Sequence, residues 1–224
     1  KVPFGMASCR LLSYGSVVLD EEDLDLLQDG QWLNDRLITF ASEYLMDQLL
    51  PEEREKIELV CASTCEMLKF SPDFTAWLAD YANRSIVVFV VNNNRDPTRP
   101  GGTHWSVLVY EKERRRFSYL DSLYSPDVSA AQVIMQNASR HLCPGTKPRL
   151  HIVPCPKQQN SNDCGMLVIE FIRFIIIHGR RSPVKALDML AVARMDASFV
   201  RECRLRWRKQ ICELVERSKR EKQQ

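Results

Sequence analysis

The spacing of hydrophobic and polar positions along this chain changes period several times, and each change marks an element. Ile86-Val87-Val88-Phe89-Val90-Val91 is an unbroken β-branched and aromatic run, too short for a core helix, and predicts a strand buried on both faces. Residues 105–110 predict a second strand, a turn at 113–116 leads to a third at 117–121, and 150–153 and 56–62 read as short strands, the latter at an edge. Helical spacing takes over elsewhere. Asn34 is a suitable N-cap for a helix whose positions Leu37, Phe40, Ala41, Tyr44 and Leu45 share one face. Asp20-Glu21-Glu22-Asp23 opens a short helix, residues 63–81 suggest two short helices divided at Ser71-Pro72, and 127–142 and 196–216 are amphipathic. The helix beginning at Cys164 differs from these: Met166, Leu167, Val168, Ile169, Phe171, Ile172, Phe174 and Ile175 make it apolar almost all round, so it belongs in the core, and Gly179 is its stop. These elements predict an α+β architecture, a small central mixed sheet flanked by helices, with residues 92–102 as a long loop.

Composition narrows the class without deciding it. With 224 residues, 45% apolar and 27% charged, the chain suits a single domain over 1–224, in which residues 1–7 are an extension outside the periodic pattern. A net charge of +2 gives no ground for nucleic acid as the main partner, and the basic positions of the C-terminal segment, Arg201, Arg204, Arg206, Arg208, Lys209, Arg217, Lys219, Arg220 and Lys222, are interrupted by Glu202, Glu213, Glu216 and Glu221 as on a solvated face. The acidic positions from Asp20 to Asp29 read in the same way. Eight unclustered cysteines are expected to be free thiols in a reducing compartment, cytoplasm or nucleus. No apolar run reaches membrane-spanning length, so no membrane partner is expected. Cys61 with Cys65, and His141 with Cys143, are isolated half-sites, and neither a metal nor another cofactor is expected. A monomer is the simplest expectation.

Chemistry concentrates at three places. Gln158-Gln159-Asn160-Ser161-Asn162-Asp163-Cys164-Gly165 joins a polar turn to a cysteine at a helix tip, where backbone N–H groups favour a thiolate. Gly165 is expected to let a substrate backbone approach. His104 lies at the mouth of the second strand and Asp121 at the end of the third, so Cys164 as nucleophile, His104 as base and then acid, and Asp121 orienting His104 form a Cys-His-Asp hydrolase constellation. Gln158 can fold back to donate its amide to an oxyanion.

Four segments in this order, Trp32-Leu33-Asn34-Asp35, Gly101-Gly102-Thr103-His104-Trp105-Ser106, Tyr119-Leu120-Asp121-Ser122 and 158–166, resemble the ubiquitin-like-protein-specific cysteine proteases, the sentrin or SUMO protease group, and most closely its deneddylase branch. The resemblance extends over nearly the whole chain after Ser13. It implies a papain-like cysteine protease fold and cleavage after the C-terminal Gly-Gly of a ubiquitin-like modifier, in conjugates and in precursors, with the neddylation modifier favoured. SUMO or dual specificity is the alternative, and a catalytically silent modifier-binding module is the reading from another class. His104, Asp121, Cys164 and Gln158 match the family's triad and oxyanion positions. Trp32 and Trp105 match residues flanking a tunnel that admits only glycines, and Asp35 matches a position that pairs with a basic residue of the modifier's tail. Asn92, Asn93, Gly101 and Gly102 fall in a long loop resembling the substrate-covering loop of deneddylases.

That loop carries Arg95 and Arg99, a more basic composition than the resemblance leads one to expect. Two cations there are expected to disfavour ubiquitin, whose tail has an arginine where the neddylation modifier has an alanine. Replacing both by alanine is therefore expected to raise cleavage of a ubiquitin-terminated probe relative to the neddylation modifier. Unchanged discrimination in that comparison rejects the idea.

Overall fold

The computed structural model describes residues 10–99, 101–179 and 183–223; the extension expected at 1–7 and Pro100 of the long loop lie outside them. The described chain opens with a hairpin of β1 (Arg10–Tyr14) and β2 (Val17–Asp20). Its period-2 signal is confined to Leu12, Val17 and Leu19, too little to predict two strands, and the sequence reading lacks it. The central sheet has the order β3 (Ile57–Val60), β4 (Ile86–Asn92), β5 (Trp105–Glu111), β6 (Arg116–Leu120), β7 (Leu150–Ile152). β4, β5 and β6 form an antiparallel meander, while β3 and β7 join its edges in parallel, so the sheet is mixed as expected.

Strand alternation divides the interior into two layers. Val88 and Val90 of β4, with Val107 and Val109 of β5, face a core shared with α2 (Asp35–Asp47), α6 (Cys164–Gly179) and α8 (Ala197–Glu221), as well as α7 (Pro183–Leu190). Val87, Phe89 and Val91, with Leu108, Tyr110, Phe117 and Tyr119, face the opposite layer of α4 (Ala62–Phe70), the 3-10 turn Ala76–Tyr81 and α5 (Ser129–Leu142). Two-sided burial is why β4 has no polar alternation. Short helices α1 (Glu21–Asp25) and α3 (Pro51–Arg54) complete the described elements.

α6 is buried along most of its length, including its one carboxylate. Glu170 accepts from Arg173 Nε at 2.7 Å, Arg206 Nη2 at 2.7 Å and Trp207 Nε1 at 3.1 Å, and these donors replace the water it has lost. Elsewhere the structure departs from the periodicity. The second of the two expected short helices is 3-10 and begins after Thr75 rather than at Pro72. α3 and α7 are too short to have produced a periodic signal, and α8 runs on to Glu221. Of the acidic run, Glu21, Glu22, Asp25 and Asp29 are exposed as expected, whereas Asp20 and Asp23 are buried, form a capping box and are both bridged by Arg36.

Ile172 is fully buried and Leu205 is 68% exposed, although both are apolar helix positions. Ile172→Ala is expected to destabilise by about 2–5 kcal/mol, whereas Leu205→Ala changes the denaturant midpoint little. Similar midpoint shifts for the two variants contradict this placement of α6 at the centre.

Candidate active site

The ends of β5, β6 and α6 meet at one point. His104 immediately precedes β5, Asp121 immediately follows β6, and Cys164 is the first residue of α6. His104 Nε2 lies 2.7 Å from Asp121 Oδ1, with both residues buried. The imidazole's second nitrogen is left for the sulfur, and Cys164 acts on His104 as a hydrogen-bonding and charge partner. Burial pulls the His104 pKa down, but the hydrogen bonds and negative charge of Asp121 and Cys164 outweigh it and lift the value from 6.5 to about 9.

Asp121 is held from several directions. Its carboxylate also accepts from Leu123 N at 2.8 Å and the Tyr119 hydroxyl at 3.0 Å, and its backbone carbonyl accepts from Lys157 Nζ at 2.8 Å and the Cys155 thiol at 3.2 Å. Burial and the Asp121 charge push the Tyr119 phenol far above its ordinary value, so it serves as a donor. Tyr119 enters the sequence analysis only within a matching segment and Lys157 not at all, and neither was expected to hold Asp121. Tyr119 was findable, since a residue two before Asp121 on a strand shares its face.

Gln158 is buried beside this group. Its backbone N–H donates to Ser122 O at 2.9 Å, its side-chain oxygen accepts from Ser122 Oγ, and Nε2 donates to Asn160 O at 2.6 Å. An amide nitrogen carries two protons, so one remains for a ligand. The polar turn closes on itself: Asn160 Oδ1 accepts from the N–H groups of Asn162 and Asp163, both at 3.1 Å, and Asn160 Nδ2 donates to Asp163 Oδ2 at 2.8 Å.

A cleft of about 300 Å³ reaches His104 between Trp32 and Trp105, lined also by Asp35, Asn92, Gly101 and Gly102. Trp32 is 45% exposed and so not a core residue. Trp105 Nε1 donates to Leu33 O at 3.0 Å, fixing one wall against the other. Two expectations change. Asn93 does not line the cleft; its side-chain oxygen accepts from Thr103 N at 2.7 Å and His104 N at 3.1 Å, and thus braces the neck of the loop against the mouth of β5. Gly165 faces Leu33 rather than an open cleft: a Cβ there would stand 2.8 Å from Leu33 Cβ. Gly102, with φ 89, is required for a different reason, since a side chain would be strained by its backbone and would also collide with the Asn92 amide.

The long loop is more tied down than its composition suggests. Lys69 Nζ donates to Asn92 O at 2.8 Å and Asn94 O at 2.7 Å, and Asn94 and Asp96 close successive side-chain turns. Arg95 pairs with Asp127 at 2.7 Å and Arg99 lies 3.9 Å from Asp96, so the loop's positive charge is partly matched by its own neighbours.

Residues 31–210 match the Ulp1 protease family, C-terminal catalytic domain. Human sentrin-specific protease 8 is 32% identical over 165 residues, 71% of this chain and 77% of the relative. NEDD8-specific protease 1 of Arabidopsis thaliana is 30% identical over 173 residues, 74% and 75% of the two chains. Among solved structures, the C-terminal Ulp1 protease domain in complex with Smt3, the yeast ortholog of SUMO, superposes with a TM-score of 0.69 at 16% identity, covering 95% of this chain and 90% of the other. At that identity the likeness establishes the fold: the α+β, papain-like expectation holds.

Because the His104 pKa is raised in the folded protein, its contribution to stability is complete below 6.5 and is lost as pH rises through about 9. Wild type is therefore expected to lose more of its denaturant resistance across that window than Asp121→Asn, in which the imidazole lacks its main charge partner. Equal pH slopes for the two proteins contradict the assignment.

Proposed function

The chain belongs to the Ulp1 protease family, and from that premise we propose that it hydrolyses the bond after the C-terminal diglycine of NEDD8, releasing the modifier from lysine conjugates and from its precursor. The observation that carries the reaction is the buried His104–Asp121 contact with Cys164 as the imidazole's other partner, where His104 helps line a cleft walled by two tryptophans. Cys164 Sγ attacks the carbonyl of the terminal glycine. His104, protonated at neutral pH with a pKa of about 9, gives its proton to the departing amine, and an acyl-enzyme thioester remains. Neutral His104 then takes a proton from water, which attacks the thioester and frees the modifier's carboxylate. The oxyanion formed in each half is met by the remaining Gln158 amide proton and by backbone N–H groups at the tip of α6.

Asp121 is the orienting residue, held by Tyr119 and Leu123 so that Nε2 is the nitrogen it binds and the other nitrogen serves the sulfur. Trp32 and Trp105 wall the cleft so that residues without Cβ pass, while Asp35 lines it as a carboxylate suited to a basic tail residue. NEDD8 is favoured because NEDD8-specific protease 1 of Arabidopsis thaliana is 30% identical over about three quarters of both chains, whereas the solved SUMO proteases speak for the shared fold alone.

A panel of NEDD8, SUMO and ubiquitin bearing C-terminal fluorogenic groups tests this reading. NEDD8 is expected to be cleaved fastest, Cys164→Ala to be inert, and Gln158→Ala to lose about 10²–10³ in kcat. Faster turnover of SUMO overturns the choice of modifier. Binding of NEDD8 with no turnover and no adduct at Cys164 overturns the enzyme in favour of a binding module.

A further inference from the structure

Arg204 lies on α8, forty-one residues from Asp163 in sequence, and the sequence pattern groups it with the solvated basic face of that helix. The structure puts it elsewhere. It is 1% exposed and, among the described residues, the largest of the fully buried side chains. Its guanidinium touches two separate segments. Nη1 donates to Leu26 O at 3.1 Å and Gln28 O at 3.0 Å, and Nη2 to Gln31 O at 2.8 Å; all three carbonyls belong to the stretch leading into Trp32 and Leu33. Nη2 also reaches Asn162 O at 3.3 Å and Asp163 Oδ1 at 2.9 Å, on the turn that delivers Cys164.

Both segments end at the proposed chemistry. Asp163 is the residue before the nucleophile, and its carbonyl accepts from Leu167 N at 2.9 Å as the first hydrogen bond of α6. On the other side, Trp32 walls the cleft and Leu33 meets Gly165 and accepts the Trp105 indole N–H. We propose that Arg204 is a positioning residue for the reaction: its forked guanidinium fixes the nucleophile's turn against the tryptophan wall, so that the sulfur and a tail held in the cleft meet in register. The inference rests on the hydrolase reading above and extends it to a residue on the last helix. The geometry requires an arginine, since one ammonium cannot span acceptors on both sides, whereas a planar fork can. Asp163 matters equally, because it is buried, and its second oxygen is already held by Asn160.

The test separates alignment from folding. Wild type, Arg204→Lys and Asp163→Asn are each reacted with NEDD8 carrying a C-terminal electrophile, and separately with iodoacetamide, which needs the thiol but not the cleft. Thermal melts run in parallel. For both variants, labelling by the NEDD8 probe is expected to fall roughly tenfold to a hundredfold, the scale of a misplacement of about 1 Å, while alkylation of Cys164 stays within about twofold of wild type. Should Arg204→Lys fail to fold, Asp163→Asn, which keeps its shape and a hydrogen-bond acceptor, carries the same expectation. Proportional loss of both reactions means Arg204 merely supports the fold, and unchanged probe labelling means it does not align the site; either result overturns the proposal. Wild type that alkylates normally but ignores every diglycine-terminated probe overturns the hydrolase reading itself, and this inference with it.

Discussion

A carboxylate that has lost its water must be satisfied by protein donors, and Asp121 is where that requirement organises this molecule. It is 1% exposed and accepts from His104, Leu123 and Tyr119. Continuing the β5–β6 register, in which Val107 pairs with Leu120, sets His104 and Asp121 one diagonal step apart across neighbouring strands. A register slip of one residue turns the imidazole to the opposite face and leaves the carboxylate unpaired. The strand pairing and the charge pair therefore enforce one another. The same meander supplies both cores, so the site cannot be displaced without disturbing the layers on either side of the sheet.

The third member arrives by a different route. α6 is apolar on nearly every face and can settle only at the centre of the domain, which fixes the position of its first residue. Around that tip the chain uses close contact instead of flexibility. Gly165 admits Leu33, Leu33 receives the Trp105 indole, and Arg204 binds the segments on both sides. In the proposed reaction, close packing of this kind would lower the cost of aligning an extended tail with Cys164.

What the sequence revealed and what it hid differ for a physical reason. Long signals were legible, whether periodic, as in the amphipathic α2 and α5, or continuous, as in the two-faced strand β4 and the all-apolar α6. Elements too short to complete a period, such as α3, α7 and the β1–β2 hairpin, were not. Cys164, His104, Asp121 and Gln158 were legible as chemistry at element boundaries, and the structure gathers them. Asn93 was read as facing substrate because it lies in the loop, yet its amide oxygen holds the His104 and Thr103 N–H groups. Arg204 was read as one arginine among many, because the carbonyls it binds are distant in sequence and leave no local pattern. Side-chain hydrogen bonding across long separations is what spacing alone does not encode.

The central claim is that a buried charge pair keeps His104 protonated well above neutrality with Asp121 on Nε2. Nitrogen NMR of the protein labelled at histidine measures both properties at once. The account predicts that the His104 ring titrates near 9 and carries the proton on Nε2 in its Asp121 hydrogen bond. An imidazole that titrates at or below its ordinary 6.5, or that places its neutral-form proton on the nitrogen facing Cys164, contradicts it.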